Sequence, residues 1–203
     1  MTNEHDDHSA HENITPARLE AFSDGVLAII ITITVLELRV PTGTDISALG
    51  PLIPLFVAYA ISFQTIGTYW NNHHHLMRAT RHISADVMWA NLNLLFWLSL
   101  IPFTTAWLGE NHGGAWPTAL YAIVLFIAAI AYSILQYTVV RHADHHAEIM
   151  ETLRKSKKGV FSLFCYGIAA VMAFVHPLIS DVFIFIVAAV WFIPDRRIAK
   201  FIN

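Results

Sequence analysis

Three sets of residues in this sequence could do chemistry. In "TPARLEAFSDGVLAIIITITVLEL", residues 15 to 38, Arg18, Glu20, Ser23 and Asp24 lead into an almost unbroken run of Ile, Leu, Val and Thr. A carboxylate inside an apolar helix is expensive unless paired or wetted, so Asp24 needs partners across a bundle interior or a water-filled cavity. Histidine is the second set: the chain holds 12, including "HHH" at 73 to 75 and "HADHH" at 142 to 146. His-x-x-His-His is the box spacing of membrane di-iron hydroxylases and desaturases, where neutral imidazoles bind iron near the membrane surface. The third set, Asp24, His73, His74 and Asp181, consists of ionisable groups near or within the apolar runs, as a proton-coupled carrier would require.

Composition decides what must position these groups. At 56% hydrophobic, 13% charged and a mean hydropathy of +0.53, the chain is too apolar for an ordinary soluble domain. It reads as an all-α integral membrane protein with lipid as its surroundings, and nothing in it points to nucleic acid. A bilayer core about 30 Å thick takes about 20 apolar residues per helix. Six such windows occur, at 17 to 38, 49 to 70, 87 to 109, 117 to 140, 159 to 177 and 178 to 194. The last two are short and meet at His176-Pro177, so one long bent helix is the alternative there. Residues 1 to 16 form a polar, His-rich tail, and 17 to 203 a single six-helix transmembrane domain. Lone Cys165 lies inside the fifth window and reads as packing.

Charge sets the orientation. With the N-terminus inside, Arg18, Arg78, Arg81, Arg141, Arg154, Lys155, Lys157, Lys158, Arg196, Arg197 and Lys200 fall on the cytoplasmic side and Arg39 outside. That bias is strongly positive-inside and puts both termini in the cytoplasm of a multi-pass protein of the cell membrane. The first sixteen residues are polar and acidic, and no small-residue cleavage site follows the first apolar run, so no secretory signal is expected. The basic cluster near residue 155 reads as a topology determinant rather than a lipid-headgroup site. Trp70, Trp89, Trp107, Trp116 and Trp191 lie near window ends, as an interfacial belt would.

Within the opening window, Thr15 can cap a helix and Pro16 suits its first turn. Asp24 then lies about 13 Å along the axis from Thr15. With Ile29 at zero, about 100° per residue puts Ile33 and Leu36 close by and Thr32 beside them, with Ser23 and Asp24 turned away towards other helices. One face is an apolar stripe, and by itself it fits lipid contact or core packing. The other carries small polar groups that fit a structural network between helices.

The pattern Arg18-x-x-x-Phe22-Ser23-Asp24, followed by Ala28-Ile29 and Thr32, resembles the signature of the transmembrane protein 175 family of potassium channels. Trp70-x-x-His73-His74 at the end of the second window, and Asn91 eleven residues before Pro102-Phe103, are similar to that family's spacing. The likeness is strong in the first half and rests on topology alone in the second. It implies that the first helix lines a central pore. Arg18, Phe22, Ser23 and Asp24 would be held by Trp70, His73 or His74, and Asn91, while Ile29, Ile33 and Leu36 would form the gate. Thr32 matches a position implicated in potassium preference. One copy of the motif implies a homotetramer, four first helices around one axis. No Thr-Val-Gly-Tyr-Gly loop is present, so a carbonyl filter is not expected.

The rivals are weaker. Only one clean histidine box occurs, and the other clusters lack the spacing for the roughly eight imidazoles of a two-metal site; His5, His8 and His11 read as part of the polar tail. No inverted repeat or discontinuous helix pair marks a carrier. The expectation is therefore a leak-like, potassium-selective channel and not an enzyme, with no cofactor besides the permeant ion.

Overall fold

Thr15 Oγ1 accepts a hydrogen bond from the Arg18 amide at 3.3 Å, and Pro16 sits in the first turn, where its missing N–H costs nothing. From there the computed structural model, which describes residues 15–78, 80, 83–141 and 157–192, is helical throughout apart from short connections. The helices are α1 (Pro16–Leu36), α2 (Ile53–Met77) behind a 3-10 turn (Ile46–Leu52), α3 (Ala85–Ser99), α4 (Ile101–Glu110), α5 (Ala115–Arg141), α6 (Lys158–Met172) and α7 (Pro177–Phe192). The polar tail up to residue 14, Arg81, the "HADHH" run, Arg154, Lys155, Arg196, Arg197 and Lys200 lie outside the described residues.

Among the described residues four segments are long and apolar enough to cross a membrane: Pro16–Leu36, Ile46–Met77, Ala85–Glu110 and Ala115–Arg141. The fifth and sixth windows are shorter apolar helices of 15 and 16 residues, about 22 to 24 Å long at 1.5 Å per residue. They form an antiparallel hairpin rather than one bent rod. Trp191 Nε1 donates to Ser162 Oγ at 2.8 Å and Lys158 Nζ to the Val190 carbonyl at 3.4 Å, tying the start of α6 to the end of α7.

Two windows differ from the sequence expectation. The second helix does not stop at residue 70 but runs on to Met77, so the histidine run is helical rather than part of a loop. Polar residues are no bar to a helix when its other face packs, and His73, Leu76 and Met77 are all buried. The third window breaks at Leu100, between α3 and α4. Pro102 cannot donate to the Leu98 carbonyl one turn back, and the Thr104 and Thr105 hydroxyls turn back onto the Leu100 and Ile101 carbonyls in the first turn of α4.

The core sits around α5, which packs on α3, α4, α6 and α7. Its inward face carries Ala119, Ala122, Ala128 and Ala131, all buried, and small side chains let helix backbones approach closely where lipid supplies no hydrophobic drive. Close approach recurs at Gly109 of α4, where an added Cβ would stand 2.7 Å from Leu55 Cα on α2. Nearby, Thr105 donates to the Ile101 carbonyl, so Ser62 must donate to Thr105 at 2.7 Å and Tyr121 to Ser62 at 2.8 Å, joining α2, α4 and α5 through three hydroxyls. α1 lies to one side, packed on α2, α3 and α4.

Candidate functional site

α1 buries Leu19, Ser23, Leu27, Ile30 and Thr34, residues spaced by three or four, against its neighbours. Ser23 and Thr34 turn their hydroxyls back onto the Leu19 and Ile30 carbonyls, at 2.9 and 2.7 Å, so neither carries an unused donor into the apolar interior. With its proton committed, Ser23 Oγ accepts from Asn91 Nδ2 of α3 at 2.9 Å. Asn91 Oδ1 in turn accepts from His73 Nε2 of α2 at 2.8 Å. An amide oxygen cannot donate, so the proton of His73 resides on Nε2. The result is a one-directional chain, His73 to Asn91 to Ser23 to the Leu19 carbonyl, which fastens three helices together. All three side chains are 0–1% exposed, and in such surroundings a hydrogen bond is strong and a missing one costly.

A second link lies one turn earlier on α1. His74 Nδ1 and Glu20 Oε1 are 2.5 Å apart, joining α2 to α1 beside the first chain. Sequence reasoning left open which histidine joins the network; both meet α1, through different partners. It named Glu20 among the polar residues of the first helix but gave it no partner; the signal for one was its place four residues before Asp24, on the same side of the helix. Asp24 is half-buried, within electrostatic reach of His73, and among the described residues its Oδ1 has no hydrogen-bond partner. The Trp70 indole is 48% exposed and, among the described residues, makes no hydrogen bond to the cluster. Phe22 is exposed as well. Ser23, His73 and Asn91 are thus brought together, with His74 adjacent, whereas Trp70 and Phe22 face away from the subunit.

The opposite face of α1 is bare. Ile29 is 59%, Ile33 42% and Leu36 79% exposed. Thr32 lies among them, its hydroxyl donating to the Ile29 carbonyl at 2.9 Å, so that only acceptor capacity faces outward. Beside this stripe the break in the third segment opens a cleft of about 400 Å³, bounded by Ile29, Ile33, Glu37, Pro102 and Phe103. At the far end of the helix Arg39 pairs with Glu110 at 2.5 Å, tethering the segment after α1 to the end of α4. Among the described residues no three His, Cys, Asp or Glu side chains are grouped so as to hold a metal ion.

A helix pinned by a buried polar chain on one face, with an exposed apolar stripe on the other, fits a helical membrane protein, and comparison places it further. Residues 18–102, which include the hydrogen-bonded chain and the apolar stripe of α1, match the family described as endosomal/lysosomal potassium channel TMEM175. A potassium channel of Chryseobacterium sp. (strain P1-3) is 46% identical over 187 residues, covering 92% of this chain and 97% of that one. A potassium channel of Chamaesiphon minutus is 32% identical over 191 residues, covering 88% and 94%. The crystal structure of a lysosomal potassium-selective channel TMEM175 homolog from Chamaesiphon minutus superposes with a TM-score of 0.74 at 29% identity, over 87% of this chain and 95% of that one. The chain belongs to the TMEM175 family. Membership in a family of ion channels sets aside both the di-iron oxidoreductase and the proton-coupled carrier.

Proposed function

We propose that this chain is a leak-like, potassium-selective channel in which four copies of α1 surround one axis. The observation that carries this reading is the division of α1: its locked face holds Ser23, while Ile29, Ile33 and Leu36 stand outside the subunit's own packing. A stripe of this kind needs either lipid or further protein against it, and relatives at 46% and 32% identity are potassium channels. In the tetramer Ile29 forms the narrowest ring, with Ile33 and Leu36 above it. A ring of aliphatic side chains gates by width and by dewetting, so conduction requires α1 to move outward or rotate. Thr32 offers hydroxyl oxygens beside that ring and favours potassium. Arg18, Asp24 and Trp70 complete the support of the pore helix together with His73, His74 and Asn91.

α6 and α7 complete a set of six spans, their shortness met by local thinning of the bilayer. Both termini are cytoplasmic and the membrane is the cell membrane. In this reading residues 1 to 16 are a polar tail and 17 to 203 the channel domain. No cofactor is needed beyond the permeant ion.

Purified protein in liposomes, with potassium and then sodium as the sole permeant cation, tests this reading. Potassium flux exceeding sodium flux, from particles with the mass of four chains, supports it; no cation flux from such particles would end it.

A further inference from the structure

Away from α1, a cavity of about 110 Å³ lies among α2, α5, α6 and α7, enough for several water molecules. Its walls come from the later turns of α2 and α5, the first turns of α6 and the last turns of α7. In the proposed orientation these all lie in the cytoplasmic half of the membrane. Polar side chains are rare at such depth unless they serve a purpose, yet this wall carries Gln64, Asn72, Tyr69, Tyr132, Gln136 and Tyr166.

Several of these groups are already spent on structure. Gln64 Nε2 donates to the Ala188 carbonyl at 2.5 Å, and the Tyr132 hydroxyl donates to the Asn72 carbonyl at 3.3 Å. Tyr166 is different. It is only 5% exposed, lines the cavity, and its hydroxyl has no hydrogen-bond partner among the described residues. A hydroxyl that opens onto a cavity without a protein partner offers a donor and an acceptor to whatever fills the space.

Charge decides the guest's class. Among the described residues no Asp, Glu, Lys, Arg or His lines the cavity, so an anion or cation would enter a low-dielectric space without a counter-charge from them. Lys158 lies outside the lining, its Nζ 5.6 Å from the centre of the Trp191 ring and donating to the Val190 carbonyl at 3.4 Å, so its charge is engaged away from the cavity's own walls. We infer that this cavity binds a small uncharged molecule that both donates and accepts hydrogen bonds, with the Tyr166 hydroxyl as one of its contacts. Occupancy would brace α2, the helix that carries His73 and His74, against α5, α6 and α7. The cytoplasmic entry rests on the orientation proposed above; the neutral-ligand chemistry does not.

The test uses the full chain in detergent, with Cys165→Ala and Thr68→Cys, so that one thiol faces the cavity. Methyl methanethiolsulfonate, which is neutral, is expected to modify it at least tenfold faster than the trimethylammonioethyl or sulfonatoethyl reagent. N-methylacetamide is expected to slow that reaction, and Tyr166→Phe to weaken its protection several-fold. Equal rates for charged and neutral reagents would overturn the ligand class. No modification at all, or no protection by N-methylacetamide, would overturn the site. Gln136→Cys repeats the readout should Thr68→Cys fold poorly. Potassium flux measured separately on the wild type reports on the channel reading alone.

Discussion

Asn91 Nδ2 donates to Ser23 Oγ at 2.9 Å while Asn91 Oδ1 receives the His73 proton at 2.8 Å, so one amide on α3 holds both α1 and α2. An amide is suited to this place because it both donates and accepts without carrying charge. A carboxylate there would face Ser23 Oγ, whose proton is already committed to Leu19, and repel it.

Replacing that amide removes both contacts at once. Asn91→Leu strands a buried Ser23 acceptor and a buried His73 donor, at about 1 to 3 kcal/mol for each group left unpaired. A fall in melting temperature of the purified protein is expected, much larger than for Asn93→Leu, two residues on and exposed. An unchanged melting temperature would show that the chain of hydrogen bonds contributes nothing to holding α1.

The gate is tested on the free face. Ile29→Asn should wet the constriction and raise potassium conductance in liposomes with little change in melting temperature, because Ile29 is not packed within its own subunit. Wild-type conductance through this variant would take Ile29 out of the gate.

Asp24 is expected to serve assembly rather than ion choice. Asp24→Ala should lower the yield of tetramer on size-exclusion chromatography while leaving the potassium preference of the surviving channels near wild type. A stable tetramer with unchanged flux would deny Asp24 any locking role.

Gly109 gives a packing prediction that does not depend on the pore. A methyl group there meets Leu55, including its backbone Cα at 2.7 Å, so Gly109→Ala must push α2 and α4 apart and cost about 1 to 3 kcal/mol. At Gly25 an added Cβ meets nothing within 4 Å in the subunit. Gly25→Ala should therefore leave the subunit no less stable, gaining up to about 1 kcal/mol from the better helix former, and the two melting curves compared side by side check this.

The pair of Arg39 and Glu110 should matter little to stability. Its side chains are 69% and 37% exposed, and exposed ion pairs are worth about 0 to 1 kcal/mol, less at high salt. Glu110→Gln should shift the melting temperature slightly at low ionic strength and not at all near 1 M salt. A large, salt-independent loss would mean that the tether does more than hold a loop.

Much of this was legible in residue types. The apolar runs announce lipid as the surroundings, Thr15 and Pro16 fix where α1 begins, and the spacing of Ser23, Ile29, Ile33 and Leu36 puts polar and apolar faces on opposite sides of one helix, since helix geometry is local and periodic. The motif from Arg18 to Asp24, with Trp70, His73, His74 and Asn91, was enough to identify the family. What the chain alone left open was everything that depends on a partner far along it. That α2 runs on to Met77, that Pro102 divides the third segment, that His73 takes Asn91 while His74 takes Glu20, and that Tyr166 closes a polar cavity all follow from which surfaces meet in space. A buried hydrogen bond is chosen by distance and angle between residues tens of positions apart, and packing rather than local preference decides where an amphipathic helix stops.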